Sequence, residues 1–479
     1  MENNQEVKKK RLDLSSYGTV VAFLCLEVLA FVSFYLGHSY LLYGILSVVL
    51  AILLALVTLR QINKDGITSF AFFLFPLFIF GLLTALSGFS FASLGGISIA
   101  ETVFIPIGLT LFALSGYLSS HIKTFKMQTA LMVIYGALAL FVFINLVATM
   151  VYYVPFYTLI YRNSYIVYHG KPSPLPIGSM AYMLYGFQIK EVTLTYWTLF
   201  PSLLFTSVIA LFFIKYKENK RDFLIYLGFS ILGFISLLFT ISKITLITDV
   251  VLILGITIIL LCAKLNKSRR VIDGVMIGLG IIFVLFVIFE FVIAQKSWGW
   301  TKGLRNTISQ SAFLNRLFIA NRFSNNVLVI FQDLFSTFKL FGCPVGDYGF
   351  NYPNGVPQII SNLWIFDNLM SSGLFGAIFF IIALFFALRR FFKYIAKSQD
   401  LDVNKYLIAG FVLGFFVLSL VLLDVYPLVN SINMSPFFIS SPLLISLFLL
   451  GYTYHKSSEK VEEVVSEPKE EKLDEIIAA

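Results

Sequence analysis

The stretch Lys8–Leu36, KKKRLDLSSYGTVVAFLCLEVLAFVSFYL, sets the cations Lys8, Lys9, Lys10 and Arg11 ahead of an apolar run. A helix needs about 20 apolar residues to cross the hydrocarbon core of a bilayer, and the run from Tyr17 to Leu36 has that length. It is too long for a signal-peptide core and carries no small-x-small cleavage site, so it reads as an uncleaved first span. The cations in front of it mark the side that stays in the cytoplasm.

The same pattern repeats outward from this stretch. Apolar runs at 17–36, 39–59, 69–87, 97–118, 128–150, 192–214, 223–241, 244–263, 271–294, 363–388, 405–424 and 432–453 give twelve expected spans. Over 479 residues the chain is 58% hydrophobic and only 13% charged, where soluble domains carry about 25% charge. Its mean hydropathy is +0.87. Every backbone polar group in hydrocarbon must be satisfied within a helix or a closed barrel, and the alternating pattern of a barrel strand is absent. The expected fold is therefore all-α and polytopic.

Cation placement orients it. Arg60 and Lys64, Lys123 and Lys126, Lys215 to Arg221, Lys264 to Arg270, and Arg389 to Lys405 fall in alternate loops, which puts both termini in the cytoplasm. The net charge of +9 is spread over these short loops and is no nucleic-acid footprint. The three cysteines, Cys25, Cys262 and Cys343, have neither metal-ligand spacing nor an evident disulfide pairing. The division follows: 1–16 a cytoplasmic N-terminus, 17–294 nine spans with an outer loop at 151–191, 295–362 a large extracytoplasmic loop, 363–453 three spans, and 454–479 an acidic, disordered cytoplasmic tail.

The large loop carries Lys296, Lys302, Arg305, Arg316, Arg322 and Lys339 against Asp333 and Asp347, on the face where cations are disfavoured. Aromatic residues are interleaved with them, among them Trp298, Trp300, Phe313, Phe323 and Phe335. Apolar positions between Leu304 and Leu340 recur at roughly helical spacing, which predicts one or two amphipathic helices lying on the outer membrane surface. The glycines and prolines of FGCPVGDYGFNYPNGVPQ, residues 341–358, then predict turns. Guanidinium groups present a planar fork to phosphoryl oxygens, and rings pack on sugars. Arg316 and Arg322 thus suit a substrate with a lipid tail, a phosphate or pyrophosphate, and sugars; the plainer reading is that they reach anionic headgroups.

This layout resembles the O-antigen polymerase and ligase group of bacterial membrane glycosyltransferases, whose Gram-positive members polymerise capsule or exopolysaccharide repeat units. The matching residues run from Arg322 through FKLFGCPVGDYGF to ISNLWIFDNLMSSGLFGAIFF, with Gly342, Gly346, Gly373 and Gly376 in the glycine places and Asn362 in the asparagine place. Ser242 and Lys243 stand where the family has serine and arginine at an outer span boundary. Ser361 replaces the histidine of ligase-type members, and none of His38, His121, His169 and His455 lies near it in sequence.

The resemblance implies a GT-C-like enzyme of the bacterial cytoplasmic membrane. It would transfer glycan from an undecaprenyl-pyrophosphate donor to another lipid-linked repeat unit, with no cofactor and no metal. Arg316 and Arg322 would stabilise the leaving pyrophosphate, and Asp367 would take the acceptor proton. Lys243, Arg305, Asn362, Arg162 and Lys339 would bind substrate. Membrane lipid, a chain-length regulator and a flippase are the implied partners, and nucleic acid is not among them.

Ionisable residues inside spans are costly in hydrocarbon. Asp249 lies in the outer half of its span, close enough in sequence to Lys243 for an ion pair. Glu27 is mid-span without a functional reading, and Glu101, Glu290 and Asp424 lie near outer ends where interfacial water is within reach. In the first outer loop Arg162, His169 and Lys171 accompany several tyrosines, and Pro172, Pro174 and Pro176 suit either an acceptor-side wall or a rigid connector. The competing readings are a flippase or transporter of lipid-linked oligosaccharides, a ligase with a different acceptor, and a non-catalytic scaffold. A transporter should concentrate charge at mid-membrane, whereas here the excess stands in an outer loop.

Overall fold

The computed structural model describes residues 14–35, 40–59, 67–91, 99–122, 124–152, 165–168, 171–174, 195–214, 216–217, 219–239, 249–250, 253–258, 274, 277–278, 281, 285, 288, 299–310, 350–351, 357–358, 364–396, 403–421 and 440–457. The expected N-terminal segment before Leu14, most of the large loop and the acidic tail lie outside the described residues.

Helices form where apolar runs allow them: α1 Leu14–Tyr35, α2 Tyr40–Leu59, α3 Ile67–Phe91, α4 Ile99–Ser120 and α5 Met127–Tyr152. The hairpin β1 Tyr165–Tyr168 and β2 Lys171–Pro174 follows, with Tyr165 opposite Pro174 and Tyr168 opposite Lys171. Next come α6 Thr195–Phe205, α7 Val208–Leu211, α8 Lys220–Phe239 and α9 Gly299–Gln310. The pair β3 Phe350–Asn351 and β4 Pro357–Gln358 precedes α10 Trp364–Ala396, α11 Val403–Val421 and α12 Ser440–Lys456. Residues 253–258 are also helical.

Three differences from the expected spans have local causes. The run 192–214 is broken between α6 and α7. There the Ser207, Ile209 and Ala210 amides bond three residues back, to Leu204, Thr206 and Ser207, at 3.1, 3.0 and 3.0 Å. The Thr206 hydroxyl donates to the Leu203 carbonyl at 2.6 Å, and Pro201 a turn earlier removes a donor. Both effects bend helices. Helix α10 runs past residue 388 to Ala396, because Phe391, Phe392 and Ile395 are buried, Arg389 and Arg390 remain half-exposed, and Lys393 sits in the last turn at the C-terminal dipole. Its interior is interrupted at Gly373 (φ 71°, ψ −173°), a backbone state glycine adopts without Cβ strain. The described helix α12, Ser440–Lys456, carries Pro442 in its first turn, where a proline is tolerated.

Helix α4 packs against α2, α3 and α12, and α10 lies on α3. A Cβ on Gly116 would overlap the Phe448 carbonyl, and one on Gly451 would overlap the Ala113 carbonyl. The backbones of α4 and α12 therefore approach through glycine, as membrane helices do through small residues. Rings close the surrounding space: Phe70 stacks on Tyr117 at 4.0 Å between centroids, and Phe23 meets Phe448 edge-on at 5.0 Å. On the other side α5, α6, α8 and α11 pack together, with Phe213 stacked on Tyr406 at 3.6 Å.

Among the described residues, three helical stretches are long and apolar enough to cross a membrane: Met127–Ile144, Lys220–Leu238 and Gly373–Ile395. Shorter apolar stretches accompany them. Their outward faces are apolar too, with Ile52, Leu53 and Leu56 exposed on α2 and Phe375, Ile378, Ile381 and Phe385 exposed on α10. Water would drive such faces to associate, whereas lipid tails accept them, so the surface is compatible with membrane insertion.

Candidate functional site

The expected amphipathic character of the large loop has a described counterpart at its start. Helix α9 buries Thr301 and Ile308, seven positions apart, and exposes Lys302, Asn306, Thr307, Ser309 and Gln310. Trp300 is 61% exposed, so a large ring faces outward at the first turn. Arg305, half-buried, lies one turn from Lys302 on the same side, and the helix GWTKGLRNTISQ contains no carboxylate. Hydroxyls of Thr307 and Ser309 donate to the Gly303 and Asn306 carbonyls at 3.1 and 2.8 Å, within the helix itself.

Asp367 lies on the N-terminal piece of α10, ahead of the Gly373 interruption. Arg162, Lys243, Arg316, Arg322, Lys339 and Asn362 lie outside the described residues. Of the expected site residues, the described structure therefore places Arg305 and the backbone of Asp367. The β1–β2 hairpin starts at Tyr165, three residues after Arg162, within the segment expected to form the first outer loop.

The described residues contain a second polar constellation that sequence reasoning missed. Asp249 is only 1% exposed. Its Oδ2 accepts the Ser202 hydroxyl of α6 at 2.7 Å, and its Oδ1 has no hydrogen-bond partner. One turn beyond Ser202, Thr206 Oγ1 stands 3.1 Å from the Tyr135 hydroxyl of α5, which donates to the Leu407 carbonyl of α11 at 3.2 Å. Ser207 and Ser230 approach to 2.9 Å, and Ser230 donates to the Tyr226 carbonyl within α8 at 2.7 Å. A buried hydroxyl seam therefore runs through α5, α6 and α8, with the carboxyl of Asp249 attached to it. The sequence signal was Ser202, Thr206 and Ser207 recurring at helical spacing inside an apolar run.

Other polar contacts lie outside this seam. Asp222 accepts from Gln128 Nε2 at 3.0 Å and Asn219 Nδ2 at 2.6 Å, while its own amide donates to Asn219 Oδ1 at 3.3 Å, capping the start of α8. His121 and His455 stack at 3.6 Å where α4 and α12 end, and Arg390 lies 5.2 Å from the Tyr454 ring. Among the described residues no group of three His, Cys, Asp or Glu side chains forms a metal-binding set. No family model, curated protein sequence or solved structure matches the chain.

Proposed function

We propose that this chain is a multi-pass membrane glycosyltransferase of about twelve spans with a GT-C-like arrangement and both termini in the cytoplasm. It polymerises undecaprenyl-pyrophosphate-linked repeat units into capsule or exopolysaccharide on the outer face of a bacterial cytoplasmic membrane. The observation that carries this reading is the cation- and ring-rich segment 295–362, of which α9 offers exposed Trp300 and Lys302 with Arg305 one turn on and no acid. Negative charge grows on pyrophosphate as it leaves, and cations fixed beside it stabilise that charge. Arg316 and Arg322 supply the forks, assisted by Arg305, Lys339, Lys243 and Arg162. Asn362 bonds substrate, and Asp367 is the carboxylate nearest that motif for the acceptor proton. A flippase and a chain-length regulator work beside it.

The rival transporter reading draws on one observation, the buried Asp249 within the bundle, since transporters place ionisable groups among their spans. Purified protein supplied with lipid-linked repeat units and EDTA separates the two: chain extension supports the enzyme, and its absence with folded protein supports transport. In the producing cell, Arg316→Ala and Arg322→Ala should each abolish long-chain glycan at unchanged membrane levels. Persistence of long chains in both variants would remove these arginines from the site.

A further inference from the structure

We infer that Asp249 is the group that accepts the proton of the attacking hydroxyl, with Ser202 as its positioning residue. This rests on the glycosyltransferase reading and names the base that the resemblance leaves to Asp367. A general base must hold one carboxylate oxygen in register and leave the other for the incoming proton. Asp249 has that division: Oδ2 is fixed by Ser202 at 2.7 Å and Oδ1 is without a partner. Asp222, the other carboxylate with described contacts, is engaged by Gln128 and Asn219 at the start of α8.

Position agrees with the task. In the expected topology Asp249 and Ser202 both fall in the outer halves of the spans 244–263 and 192–214, the face on which lipid-linked units are joined, whereas Asp222 falls at the cytoplasmic end. The burial of Asp249 also has a chemical use. A base kept from bulk water activates the sugar hydroxyl in preference to water, so transfer prevails over hydrolysis of the donor. In the step, the acceptor O–H gives its proton to Oδ1 while its oxygen forms the bond to the anomeric carbon. The bond from that carbon to the pyrophosphate oxygen breaks, and the electron pair departs with the lipid pyrophosphate. The neutral carboxyl then returns the proton to water as product leaves.

The test uses full-length protein in nanodiscs with synthetic undecaprenyl-pyrophosphate repeat units, read as chain extension over a pH series. Asp249→Asn should lower kcat by about 10²–10⁴-fold with KM nearly unchanged. Added formate should restore part of the rate to Asp249→Ala. Asp249→Glu should retain measurable extension. Ser202→Ala should lose less than Asp249→Asn and displace one limb of the pH profile, which a purely structural serine would not do. Wild-type rates in Asp249→Asn would overturn the assignment while leaving the enzyme reading intact. So would loss in both the Asn and Glu variants with an aggregated elution profile, which makes Asp249 structural. An inactive wild type would overturn the enzyme reading and this inference with it.

Discussion

Between α4 and α12 the chain closes its backbones on glycine, while among α5, α6 and α8 it closes them on hydroxyls. At the first interface Gly116 and Gly451 face carbonyls of the opposing helix, and aromatic rings such as Phe70, Tyr117 and Phe448 fill the margins. At the second, Tyr135, Thr206, Ser207 and Ser230 bond across or along the helices, and α6 is broken where they concentrate. Lipid tails are as apolar as leucine, so burial alone does not join helices in a membrane. Close contact and hydrogen bonds remain, and the two interfaces differ in which of these they use. The glycine interface brings backbones into contact; the hydroxyl seam adjoins the one buried acid with an unpartnered oxygen among the described residues.

The sharpest way to break the contrast is Gly116→Leu. Its side chain would have to enter the Phe448 backbone, which forces the helices apart and should cost about 3 kcal/mol or more. Thermal unfolding in detergent should show a greatly lowered midpoint, and the protein should be scarce in membranes. Unchanged unfolding would mean that this glycine contact does not hold the two helices.

A Cβ on Gly414 would come within 2.8 Å of Thr206 Cγ2, so Gly414→Ala should cost about 1–3 kcal/mol. Adding Thr206→Ser, which keeps the hydroxyl and drops the methyl, should recover most of that loss by the same measurement. Gly373→Ala should cost about 1 kcal/mol, because its φ of 71° strains any residue with a Cβ. Smallest is Tyr135→Phe, which removes the bond to Leu407 and should cost about 0.6 kcal/mol, typical of a hydrogen bond between membrane helices. A larger loss there would make the seam as rigid as the glycine interface.

Helix positions were largely legible because length and hydropathy determine them: α2 at Tyr40–Leu59 and α5 at Met127–Tyr152 match the runs 39–59 and 128–150 within two residues. The break after Phe205 was not, since it depends on hydroxyls bonding to their own helix and on packing against Gly410 and Gly414 of α11. The extension of α10 past Arg389 escaped notice for a related reason. Hydropathy marks the edge of hydrocarbon, and helices continue beyond it wherever Phe391 and Phe392 find a core. Of the candidate site, Arg305 on a charged amphipathic helix was readable from composition. Asp249 was visible as an ionisable residue in an apolar run and was matched with Lys243. Its partner Ser202 lies 47 positions away and follows only from how α6 packs.

The central claim is that the basic, aromatic segment stands outside the cytoplasmic membrane. Its most direct test replaces Cys25, Cys262 and Cys343 with alanine and introduces a single cysteine at Asn306, exposed on α9. A membrane-impermeant thiol reagent applied to intact cells should label Asn306→Cys fully, before any permeabilisation. Labelling only after the membrane is opened would put α9 in the cytosol and contradict the claim.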